Sequence, residues 1–135
     1  MFGWLRRWRG EVPLRGAPPV RRLKCYSAAS GYVYEYFYEG HRPARRGTQQ
    51  GAQYVFSVSA DRKQFFPVSV FISERSLELF ASKHGREVTG VERYAVAKMS
   101  LFQAFDERPS PGAMREEIHV GPADVEAIFE RLGLT

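Results

Sequence analysis

The chain has 135 residues, 44% hydrophobic and 26% charged, which fits one globular domain with a single core and gives no support to two. A lone cysteine, Cys25, excludes an internal disulfide, so stability has to come from packing and a reduced, cytoplasmic setting is expected. No apolar run approaches the ~20 residues of a membrane-spanning helix, and the start Met-Phe-Gly-Trp-Leu-Arg-Arg-Trp-Arg lacks the apolar stretch of a signal peptide.

The net charge of +5 is unevenly placed. Before residue 25 stand Arg6, Arg7, Arg9, Arg15, Arg21, Arg22 and Lys24 against Glu11 alone, a surplus of +6; the remainder carries −1. Pro13, Pro18 and Pro19, with Gly3, Gly10 and Gly16, argue against a long regular element here. Residues 1–24 therefore read as an irregular basic arm on a body of residues 25–135. Within the arm, Met1, Trp4, Leu5 and Trp8 have the spacing of one face of a short helix, opposite Arg6, Arg7 and Arg9.

Next come Tyr32, Tyr34, Tyr36 and Tyr38, at every second position. In an extended strand they leave one face together, with Val33, Glu35, Phe37 and Glu39 on the other. Such a wall either lines a core or offers a platform on which flat ligands stack. Two glutamates on the opposite face favour the core. Residues 41–51, with Pro43, Gly47, Gly51 and the cations Arg42, Arg45 and Arg46, read as a solvated loop. Tyr54, Phe56 and Val58 share one face of a second strand, with Gln53, Val55, Ser57 and Ser59 on the other. Residues 65–72 are apolar on both faces, so a third strand is expected in a covered position, although Pro67 cannot donate to a ladder there.

Ser73 is placed to cap a helix that buries Leu77, Phe80 and Ala81 and stops at Gly85. Thr89 and Glu92 have capping-box spacing, and Val91, Tyr94, Ala95, Lys98, Met99, Phe102 and Phe105 continue at helical period, which predicts a helix to about residue 107. Its rival is a long strand, because Ala95, Ala97, Met99 and Leu101 also alternate; the alanine, lysine, methionine and glutamine content favours helix. Asp106 and Glu107 at its end oppose the helix dipole, and the basic arm is the expected answer to that charge. A short strand over residues 117–120 and a helix opening at Pro122 complete the chain. The expected fold is α+β: an antiparallel sheet of about four strands with two to three helices on one face.

Function is less legible. His41, His84, His119 and Cys25 show no metal-ligand spacing, and no nucleophile elbow or phosphate loop occurs, so no metal, cofactor or catalytic residue is assigned. The spacing Arg42-Pro43-Ala44-Arg45-Arg46 resembles the arginine half of the PilZ-type cyclic-dinucleotide signature; the other half, an Asp or Asn followed by Ser and Gly across a strand, is absent downstream. The preferred reading is a non-enzymatic binding or adaptor domain. Its contact residues would be Trp4, Arg6, Arg7, Trp8, Arg9, Arg21 and Arg22 of the arm with Arg42, Arg45 and Arg46, facing an anionic surface (nucleic acid or membrane), a protein partner or a second copy. The alternatives are a nucleic-acid binder that stacks bases on Tyr34 and Tyr36, and an enzyme with an unrecognised site.

Overall fold

A computed structural model describes residues 12–135. Trp4, Arg6, Arg7, Trp8 and Arg9, and with them the short helix expected near the start, lie outside the described residues.

Among the described residues five strands and three helices follow in chain order: β1 (Lys24–Ser27), β2 (Val33–Arg46), β3 (Gln49–Ser59), β4 (Phe66–Ser73), α1 (Glu74–His84), α2 (Gly90–Glu107), a 3₁₀ turn (Pro111–Arg115), β5 (Ile118–Val120) and α3 (Pro122–Arg131). The sheet order is β1-β2-β3-β4-β5, antiparallel except for the parallel β4/β5 pair. The α+β architecture stands, but the sheet has five strands and is mixed rather than antiparallel with four. Two short edge elements account for the difference. A parallel neighbour needs a long crossover, and α1, α2 and the 3₁₀ turn supply one between β4 and β5.

Residues 41–51 correct the sequence reading: they form the far ends of β2 and β3, joined at Gly47, and not a loop. Pro43 is tolerated because β1 pairs only as far as Tyr36, so this part of β2 has a strand on one side. Pro67 has a similar licence, since β5 pairs only with Val70, Phe71 and Ile72 of β4.

The helices form as their caps dictate. Ser73 accepts from the Ser76 amide, and Gly85 closes α1 at φ 67°, a left-handed position that favours glycine. Thr89 and Glu92 make the reciprocal capping box of α2. One hydrophobic core joins the inner sheet face (Tyr34, Tyr36, Phe56, Val58, Val70) to the helices (Leu77, Phe80, Leu101, Phe105, Phe129). Of the expected tyrosine wall, Tyr34, Tyr36 and Tyr38 point inward, while Tyr32 precedes the strand and is exposed; Tyr34 stacks on Phe105 at 4.2 Å and Tyr36 meets Phe102 edge-on at 5.6 Å.

Among the described residues, Asp106 is answered by neutral donors and not by the cations of the arm. It accepts from the Tyr26 hydroxyl at 2.7 Å and from the Ala29 amide at 2.8 Å, which fastens β1 to the end of α2.

Candidate functional site

Strict alternation would put Tyr38 and His41 on opposite faces of β2. A bulge between Tyr38 and Gly40 inserts Glu39 as an extra residue, so that Tyr38 opposes Phe56 while His41 opposes Tyr54. Both side chains now leave the same, inner face. The Tyr38 hydroxyl lies 2.9 Å from His41 Nδ1, the His41 ring stacks on Tyr54 at 5.1 Å, and Tyr94 of α2 leans on Tyr38 at 4.8 Å.

The arm completes the site. Lys24 pairs with Tyr36 and Arg15 with His41, so the chain takes nine steps between these anchors where β2 takes five. The excess cannot lie flat, and Pro18 and Pro19 cannot donate to β2. Residues 16–23 therefore arch away from the edge and leave a cleft of about 570 Å³ beneath them. Its floor carries Tyr36, Tyr38, Tyr54 and Tyr94; Pro18, Val20 and Arg22 contribute from the arch. Among the described residues that line it there are cations (Arg22, Lys24, Arg93) and no carboxylate.

The arch is tied at several points. Arg15 and His41 exchange backbone bonds of 2.7 and 2.8 Å, Arg42 donates to the Val12 carbonyl at 3.1 Å, and Arg21 pairs with Glu39 while lying 4.1 Å above the Phe37 ring. Gly40 is required for this docking. It sits at φ 126°, where side chains are strained, and a Cβ there would come within 2.6 Å of the Arg15 carbonyl oxygen. Gly40→Ala is expected to free the arch at a cost of about 1–2 kcal/mol. Limited trypsin digestion should then cut at Arg15, Arg21 and Arg22 well before the body; an unchanged cleavage pattern would refute the tie.

Burial sets the chemistry of the floor. It pushes the Tyr36 hydroxyl up to about 12 and raises Tyr38, Tyr54 and Tyr94 as well, so at neutral pH the four phenols are uncharged. Arg93 is engaged by Glu74 through two bonds of 3.0 Å. Burial and the facing Lys24 ammonium push the Lys98 pKa down.

The expected contact residues are dispersed. Arg22 lines the cleft, and Arg21 holds the arch to Glu39. Tyr34 is fully buried and Tyr36 is only 4% exposed, so their rings do not form an open stacking face, although Tyr36 reaches the cleft floor. Arg45 is exposed on β2, while Arg42 and Arg46 are drawn into a network on the opposite face of the sheet. There Glu117 accepts from Arg46 Nε and Nη2 at 2.6 and 2.9 Å, from Ser69 at 2.7 Å and from Gln53 at 3.1 Å, and Gln53 in turn accepts from Arg42. Arg46 thus braces β2 to the residue before β5, and Arg42 ties in through its neighbour on β3.

The site residues that sequence reasoning passed over are Tyr38, His41, Tyr54, Tyr94 and Lys24. Tyr38, Tyr54 and Tyr94 were visible as inward members of their elements. The bulge that brings His41 among them has no sequence marker beyond Gly40 after a strand. The remaining histidines stand apart: His84 lies 3.0 Å from Glu126 and His119 lies 3.6 Å from Glu117. Among the described residues no helix is long and apolar enough to cross a membrane. Comparison with family models, with curated proteins and with solved structures finds no match for this chain.

Proposed function

We propose that this domain is a non-enzymatic binding module that takes a small anionic ligand into the cleft between its basic arm and its tyrosine-lined sheet. The observation that carries this reading is the composition of the cleft: a preformed, mainly apolar cavity floored by tyrosines, with cations and no carboxylate among its described lining residues. Its volume of about 570 Å³ falls inside the range of small-molecule sites. The expectation of an anionic partner for the arm is kept and narrowed to Arg22 and Lys24. Binding to the rings would be by apolar burial, and orientation by charge. The reading requires no chemical step.

Anilinonaphthalene sulfonate, a flat aromatic anion, is the first probe. Titrated into the full chain, it should give blue-shifted emission that saturates at one site, with Kd on the order of 10 μM. The double reversal Arg22→Glu/Lys24→Glu alters two exposed side chains and should weaken binding by about tenfold or more while leaving the melting curve in place. Emission that never saturates, or equal affinity in the variant, would dismiss the cleft as the site.

A further inference from the structure

Val20, Arg22 and Lys24, at every second position, line the cleft, whereas Arg21 between them leaves on the other side of the sheet edge. There it lies 4.1 Å above the Phe37 ring and pairs with Glu39, the residue that the bulge inserts. Glu39 is held in turn by the Ser57 hydroxyl of β3, and Phe37 packs on Phe65 at 5.4 Å, so Arg21 grips groups that are themselves fixed. Between the anchors at Arg15 and Lys24, no backbone hydrogen bond among the described residues ties residues 16–23 to β2. Of the side chains in that span, Arg21 is the one whose hydrogen bond reaches the sheet among the described residues.

We infer that Arg21 is a positioning residue for the cleft: by clipping the arch to the outer face of β2, it sets the wall that Val20 and Arg22 present to a ligand on the inner side. This rests on the binding reading above and adds its control. In an extended segment neighbouring side chains leave opposite sides of one backbone, so a grip on Arg21 fixes both of its neighbours without touching what they touch. A wall that is in place only part of the time reduces apparent affinity by that fraction. The clip is exposed, with Arg21 53% and Glu39 26% accessible, and an exposed ion pair with an exposed cation–π contact favours the closed wall by a modest factor. A clip of this strength lets the wall open for exchange and still keeps it closed most of the time.

The sign of one substitution separates this role from simple electrostatics. Glu39→Gln deletes a negative charge beside the cleft, so the field alone would tighten the binding of anilinonaphthalene sulfonate to the full chain; release of the wall should instead weaken it, by about three- to tenfold. The glutamine keeps an acceptor for Ser57. Arg21→Glu should weaken binding at least as much, and the charge swap Arg21→Glu/Glu39→Arg, which has the net charge of the wild type, should return it to within about twofold of the wild-type value. Tighter or unchanged binding in Glu39→Gln, or a swap no better than Arg21→Glu, would overturn the positioning role while leaving the cleft as a binding site. If the probe does not saturate in the wild type, the binding reading falls by itself, and trypsin cleavage after Arg22 judges the clip. Glu39→Gln should speed that cleavage by about threefold or more with the melting curve unchanged, and equal rates in the two proteins would remove the clip as well.

Discussion

Phe105→Ala is expected to cost about 3–5 kcal/mol, the range for emptying a large aromatic site in a closed core. The ring is fully buried on the last turns of α2, stacked on Tyr34 at 4.2 Å and tilted against Tyr26 and Tyr36 at 5.7 and 6.1 Å. It is the point at which β1, β2 and α2 meet. The surroundings have little scope to collapse, because Tyr26 is held by Asp106 and Tyr34 by its strand partners. The Tyr34 hydroxyl adds a control. Among the described residues it is the buried side-chain polar atom with no hydrogen-bond partner, so Tyr34→Phe discards an uncompensated group and should leave stability equal or higher. Urea denaturation of both variants checks the pair. A loss below about 1 kcal/mol for Phe105→Ala, or a large loss for Tyr34→Phe, would contradict the inward-facing aromatic stack.

Glu117→Gln should be the next most damaging change, at about 3 kcal/mol near neutral pH, with an effect that depends on acidity. Glu117 is 17% exposed, and burial alone would raise its pKa; the bonds from Arg46, Ser69 and Gln53 and the Arg46 charge outweigh this and hold the carboxyl at about 2 against an ordinary 4.5. The unfolded chain therefore binds this proton more readily than the folded one. The stabilisation is complete above about pH 5 and is lost as pH falls through the folded value near 2. Other carboxylates with lowered values, such as Glu74 and Glu92, add their own acid lability, so the diagnostic quantity is the difference between the two proteins. Melting temperatures of wild type and Glu117→Gln should lie far apart at pH 7 and converge towards pH 2. A gap that stays constant with pH would show that the Arg46 to Glu117 brace contributes packing and not charge.

Local order was legible in the chain to the degree that neighbours in sequence determine it. The tyrosine stripe, the Ser73 and Thr89 caps, the helical period through Phe105 and the Pro122 start each depend on contacts within a few residues, and each appears in the folded molecule. The helix over residues 91–106 prevailed over the competing strand because its capping box and its apolar face agree. Residues 41–51 were misread because Pro43, Gly47 and three arginines carry the composition of a loop, whereas pairing with β4 through β3 and the Arg46 to Glu117 brace make them strand. The short strand expected over residues 117–120 is present as Ile118–Val120, but its parallel pairing with β4 was not legible, and Lys24–Ser27 is defined as a strand only by its partner β2.

The site follows the same division. That Tyr36, Tyr38 and Tyr94 face inward was contained in the sequence, since periodicity assigns each side chain to one face of its own element. That His41 joins them and that a surplus of arm residues arches over the edge of β2 were settled by tertiary structure alone. The reason is physical: a single inserted residue at Glu39 reverses the parity of everything after it on β2. The free energy that places such an insertion comes from the strands, helix and arm packed around it, many residues away along the chain.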